Sequence, residues 1–341
     1  MAKHIAMAWL HSILEHRAVF VPLRKAYSAR RRLFRSLGRL TGWYSGRRVL
    51  AAEAVNARLR EALSTGRPYM VGRLGSAELD AMCIAAGMER RSRSEDWWGR
   101  YRRELRGDRD SWPESNRFQL SNNAGFFPTT EDNLQRYVAL MRADLGVADL
   151  LGVWFYLGEA ETLGEYAPEA TLASPLGLEP YYFDHPWSRA LEGRRVLVVH
   201  PFSESIRGQY QRRTKLFAKA DVLPAFELTT IPAVQSIAGN SCGYASWFDA
   251  LDAMCEKIAS TRFDVAIIGA GAYGLPLAAF CKRLGRQAIH LGGPTQVLFG
   301  IRGRRWDTRP EVASLYNEFW IRPSAEETPV GHIKVEEGTY W

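Results

Sequence analysis

The sequence is poor in the features that mark the commonest protein classes. Only four cysteines, Cys83, Cys242, Cys255 and Cys281, stand in 341 residues, with no C-x-x-C and no ligand-like spacing. A disulfide framework and a zinc site are therefore not expected, and the thiols read as reduced and buried. No apolar run reaches the roughly 18 residues that a transmembrane helix needs. The weakly apolar start, Ile5 to Leu14, is broken by His11 and lacks a small-residue cleavage site, so no signal peptide is expected. There is no Walker A or H-E-x-x-H and no evident Ser-His-Asp set, which argues against the common hydrolases and P-loop enzymes. Lysine is scarce: seven stand against thirty-eight arginines, so no arginine is informative by its type alone.

What is present suffices for a globular α/β protein. At 46% hydrophobic residues, the chain can bury one large core or two modest ones. The net charge of +8 is unevenly placed. Residues 1–50 hold eleven basic side chains against Glu15 alone, so the rest of the chain sums to slightly negative. The body is not a basic nucleic-acid binder, and nucleic acid is not expected as a partner. The basic arm also carries Trp9, Leu10, Ile13, Leu14, Phe20, Leu23, Leu33, Phe34, Leu37 and Leu40. It reads either as an amphipathic helix on an anionic membrane surface or as a helical hairpin packed on the body.

Beyond the arm, helical and strand-like patterns alternate. Helices are expected over 51–63, 76–86, 203–220, 247–258 and 273–284, and from a capping pair at Thr129 and Asp132. Strands are expected at 69–71, 149–155, 196–199, 226–230, 265–268 and 288–291. Short β-branched runs separated by helices imply a mostly parallel sheet with helices on both faces. The expected organisation is a basic helical extension over 1–48 and a single α/β domain over 49–341, with no internal repeat.

Ligands in such sheets bind beyond the carboxyl ends of strands, and three strand ends carry suggestive residues. The first is Gly72-Arg73-Leu74-Gly75-Ser76-Ala77-Glu78, where Arg73 suits a phosphate and Glu78 a metal, a sugar hydroxyl or a proton. A favourable acid at a helix N-terminus is the plainer alternative. The second runs from His200 through Ser203, Ser205 and Arg207, which would crowd the positive end of a helix as an anion pocket. His200 is a candidate general base or a structural strand-end histidine. The third is Gly269-x-Gly271-x-x-Gly274, where bare amides open a helix. A nicotinamide enzyme should carry an acid at the end of the next strand, but that strand ends Ile289-His290-Leu291-Gly292-Gly293. A nucleotide phosphate or tight strand–helix packing fits the glycines better. Asn122, Asn123, Gly125 and Phe126 add amides, a flexible turn and an aromatic face suited to a sugar or a base. The aromatic groups Trp154-Phe155-Tyr156 and Tyr181-Tyr182-Phe183 offer stacking faces or core.

The stretch Tyr69-Met-Val-Gly-Arg73-Leu-Gly75-Ser-Ala-Glu78-Leu resembles the R-x-G-D-G-E segment of the GT-D fold glycosyltransferases. Asp264-Val-Ala-Ile-Ile-Gly-Ala-Gly-Ala-Tyr273-Gly274 and Leu284-Gly-Arg-Gln-Ala-Ile-His290-Leu-Gly-Gly293 resemble that family's C-terminal strand–helix–strand. The resemblance spans roughly residues 65–300 in short ordered matches. It implies a Rossmann-like domain that moves a sugar from a nucleotide-sugar donor to a glycan or lipid-linked acceptor, as in bacterial surface polysaccharide synthesis. In that family an Asp-x-Glu pair manages the donor diphosphate and its divalent ion, manganese or magnesium. Here Ser76 stands in place of the first carboxylate. A hydroxyl is a poor ligand for a hard cation, which leaves Glu78 as the remaining ligand and leaves both metal dependence and activity open. Arg73, Arg207 and helix amides are the alternative neutralisers. The implied location is cytoplasmic, peripheral on the inner membrane face. An NAD(P)-dependent oxidoreductase and a non-catalytic membrane-associated scaffold stay open as alternatives, and oligomeric state is not legible.

Overall fold

Residues 25–26, 29, 32–33, 36–44, 46–93, 109 and 111–341 are described by a computed structural model. Its strands are β1 (Trp43–Tyr44), β2 (Arg47–Leu50), β3 (Tyr69–Arg73), β4 (Leu150–Gly152), β5 (Thr171–Ala173), β6 (Arg195–His200), β7 (Glu227–Pro232), β8 (Val265–Ile268) and β9 (Gln287–His290). They form one sheet in the order β1-β2-β5-β4-β3-β9-β8-β6-β7. All neighbours run parallel except β1 and β2. The fold is thus α/β and Rossmann-like, with a mostly parallel sheet.

Continuous apolar strands are what a sheet buried on both faces demands, and side-chain alternation sorts them into two cores. Leu197, Val199, Ala266, Ile268 and Ala288 face one cluster, while Val196, Val198, Val265, Ile267 and Ile289 face the other. The first core lies under α2 (Ser76–Arg93), α4 (Glu131–Leu145), α7 (Trp247–Ala259) and α8 (Gly274–Arg283). The second lies under α1 (Ala52–Ser64), α6 (Ser203–Gln211) and the chain after Pro294. Two shorter helices, α3 (Glu114–Asn122) and α5 (Glu159–Tyr166), complete the first side.

Several expectations shift. The arm boundary at 48 falls inside β2, which pairs with β5 through Val49 and Leu50, so the sheet begins within the arm. Most of the arm, including Trp9 to Phe20, lies outside the described residues. The cap of α4 is Thr130, which accepts from the Asn133 amide, one residue later than the expected pair. The strand expected over 149–155 stops at Gly152, because Phe155 adopts φ 58° and turns the chain. The helix expected over 203–220 stops at Gln211, where Arg212 leaves helical dihedrals.

Candidate functional site

β3, β9, β8 and β6 are adjacent in the sheet, so their carboxyl ends align. Those ends carry Arg73, His290, Gly269 and His200, gathered along one edge from stretches up to 217 positions apart. A cleft of about 430 Å³ opens above them, walled by the loops after β3 and β4, the turn into α8 and the C-terminal residues Val335 to Trp341. Arg73, Gly75, Ser76, Glu78, Asn123, Gly125, His200, Gly269, Gly271, Tyr273, His290, Gly292 and Gly293 all border it.

The glycines have separable reasons. A Cβ on Gly269 would stand 2.6 Å from His200 Cδ2 and 2.7 Å from the Gly292 carbonyl, and one on Gly274 would overlap the His290 ring. Gly292, at φ 66°, leaves the space that the Arg73 guanidinium fills. Three of these positions are therefore required by packing. Gly271 differs: it is exposed, has φ 51° and turns bare backbone into the cleft at the approach to α8. Tyr273 packs its ring on Trp247 at 4.8 Å and nearly parallel, and its hydroxyl meets Ser236 Oγ at 3.3 Å.

Arg73 lies with its guanidinium 5.4 Å from the centre of the Trp154 ring, a cation–π contact. Burial draws it down from its ordinary value, opposed chiefly by the Glu179 carboxylate; an arginine so placed still keeps its charge. Glu78 folds back over Gly75 at the start of α2, where a side chain would collide with its carboxylate. Burial raises Glu78 above the usual carboxylate range, against its own backbone hydrogen bond and the Arg73 charge. Helix capping and cleft lining thus coexist in one side chain.

Trp154 and Tyr156 face the cleft as near-parallel rings 6.3 Å apart. The buried Glu159 at the start of α5 holds them: its two carboxylate oxygens accept from the Trp154 and Tyr156 amides, each at 3.1 Å. The second aromatic group is mostly structural. Tyr181 is buried and donates to Glu179 at 2.5 Å, and Phe183 is also buried.

His200 and His290 are both pushed down to about 3 by burial. His200 Nδ1 accepts from the Phe202 amide at 3.0 Å, so its proton sits on Nε2. A ring held that low has little affinity for a proton at neutral pH, which favours the structural strand-end histidine over the general base at His200.

Other expected residues lie outside the cleft. The N-terminus of α6 is filled from within: the buried Glu327 carboxylate accepts from the amides of Glu204 (2.8 Å) and Ser205 (3.2 Å) and from the Ser205 hydroxyl. Ser203 is buried nearby, and Arg207 is exposed, pairing with Glu204 at 2.8 Å and Thr230 at 2.9 Å. Ser203, Ser205 and Arg207 therefore form no pocket open to a ligand. Asn122 is buried and donates to Asn123 (2.6 Å) and to the Lys334 carbonyl (2.8 Å). Phe126 lies in the core against Tyr137, Trp247 and Phe248, not in the cleft.

The cleft also contains Arg305, Arg309, Glu179, Glu336 and Tyr340, which sequence reasoning did not single out. Arg305 pairs with Glu336, donates to the Tyr340 hydroxyl at 3.2 Å and lies over that ring. The one available signal was Arg302, Arg304, Arg305 and Arg309 within eight positions around Trp306, and the abundance of arginine masked it. Among the described residues no three or more His, Cys, Asp or Glu side chains come together as a metal would need. Glu78 thus stands in the cleft outside any three-ligand cluster of the described residues.

Comparison of the chain with protein-family models, with curated proteins and with solved structures found no match.

Proposed function

We propose that this protein is a glycosyltransferase that moves a sugar from a nucleotide-sugar donor to a glycan or lipid-linked acceptor. The observation that carries the reading is the convergence of Arg73, Arg305 and Arg309 with the bare backbone at Gly271 in one strand-end cleft flanked by stacked Trp154 and Tyr156. Guanidiniums and helix-opening amides suit a diphosphate, and flat aromatic faces suit a base or a sugar ring.

In this reading the three arginines and the Gly271 amide neutralise the diphosphate as it leaves, in place of the paired carboxylates and their cation. Glu78 accepts a hydrogen bond from a donor sugar hydroxyl. His200 and His290, uncharged at neutral pH, line the floor without adding charge. The contacts that Gly269 and Gly274 make with His200 and His290 favour this reading over a dinucleotide site, because packing already accounts for both glycines.

Calorimetric titration with UDP- and GDP-sugars and with NAD(P)H tests the proposal. A nucleotide-sugar should bind, and Arg73→Met should weaken it by about 1.5–3 kcal/mol, the usual contribution of a charge-assisted hydrogen bond. Tight NAD(P)H binding with no nucleotide-sugar binding would overturn the transferase.

A further inference from the structure

An apolar strip lies exposed beside the cleft mouth. Leu33, Leu37 and Leu40 recur at helical spacing and are 59%, 43% and 83% exposed, and Trp43 follows them at 57%. The other side of this segment is tied to the body. Gly38 is buried where a Cβ would stand 2.8 Å from the Trp43 carbonyl and 3.2 Å from the Phe155 ring. Arg39 donates to the Trp154 carbonyl at 3.0 Å, and Tyr44 donates to the Tyr156 carbonyl at 3.0 Å. The strip is thereby fixed to the loop whose Trp154 and Tyr156 border the cleft.

We propose that Leu33, Leu37, Leu40 and Trp43 dock this protein on an anionic lipid bilayer, with the cleft mouth brought to the level of the headgroups. Charge argues for that occupant. Arg32 and Arg48 are exposed in the same segment, and residues 1–50 carry eleven cations against one acid, while the remainder is slightly negative. An anionic surface attracts such an arm, whereas a second copy of the chain would set the cations against each other. Leucines flanked by arginines and followed by a tryptophan match the chemistry of an interfacial anchor. That the acceptor is lipid-anchored rests on the transferase reading; the bilayer contact does not.

The test is co-sedimentation of the full chain with vesicles of phosphatidylcholine alone and of phosphatidylcholine with phosphatidylglycerol. The protein should partition onto the anionic vesicles, far less onto the neutral ones, and should be released by high salt. Leu37→Asp with Leu40→Asp should lower the bound fraction about tenfold. Both positions are exposed, so the thermal melt and the nucleotide titration should not change. Equal binding to both vesicle types, or undiminished binding of the double variant, overturns the proposal. So does a dimer in light scattering that the double variant abolishes while vesicles bind neither form, since the strip then meets a second copy. Vesicle binding without nucleotide-sugar binding sinks the transferase alone; the reverse sinks the docking alone.

Discussion

At Gly274 a single methyl group would occupy the space of the His290 imidazole, and at Gly269 that of His200 and the Gly292 carbonyl. Both rings are buried at strand ends and have little freedom to retreat. Gly274→Ala and Gly269→Ala should therefore each destabilise the fold by about 1–3 kcal/mol, the usual cost of overpacking. Urea melts check this, and a variant as stable as the parent would return those glycines to a ligand-binding explanation. Glu159 offers a complementary case. Its carboxylate holds the Trp154–Tyr156 turn through two amides, so Glu159→Ala should loosen both aromatic faces. We expect nucleotide-sugar affinity to fall about tenfold, with the far-ultraviolet spectrum unchanged. Neither role was readable in the sequence. The spacing of the glycines was visible, but only the packed partners separate Gly271, which faces the cleft, from its neighbours.

At the scale of the element, α6 shows how a local pattern and a distant residue combine. A strand end followed by serines and an arginine does open a helix, as the sequence indicates, and its amides do attract an anion. That anion is Glu327, more than 120 positions away, which no local pattern announces. Glu327→Ala should cost about 1–2 kcal/mol of stability, the range for losing a helix N-cap. Glu327→Gln should recover part of it by accepting the same amides, and equal melts for all three proteins would show that the contact contributes nothing. Five of the strands, by contrast, were legible to within two residues, β3, β6, β7, β8 and β9, while β4 proved shorter than expected and β1, β2 and β5 were not anticipated. Val265 to Ile268 is one unbroken apolar run because both its faces are buried. Boundaries failed where backbone dihedrals ruled, as at Phe155 and Arg212.

For the molecule as a whole, pH dependence has an identifiable buried source. Asp144, on α4, lies 2.6 Å from Arg283 on α8, yet burial outweighs the pair and pushes its carboxyl up to about 6. An unfolded aspartate titrates near 4. Between those values the native state holds the extra proton, so Asp144 lowers stability as pH rises from about 4 to about 6, and the penalty is constant above. Two units correspond to roughly 3 kcal/mol at most. The stability of Asp144→Asn relative to the parent should accordingly improve across that interval and level off beyond it. Parallel stability curves from pH 4.5 to 7.5 would remove the assignment. The overall architecture was readable from the alternating runs that became β3, β4, β6, β7, β8 and β9, whereas β5, inside the sheet, went unannounced. The full cleft was not, because its far wall comes from residues whose neighbours exist only after folding.

That far wall has a consequence for how the molecule is made. The last sheet strand, β9, ends at His290, whereas Val335, Glu336, Tyr340 and Trp341 close the cleft some fifty positions later. A nascent chain can thus pair all its strands before it owns a complete pocket. Removing residues 331–341 should therefore abolish ligand binding at the cleft, and undiminished binding by the shortened protein would show that this wall contributes nothing.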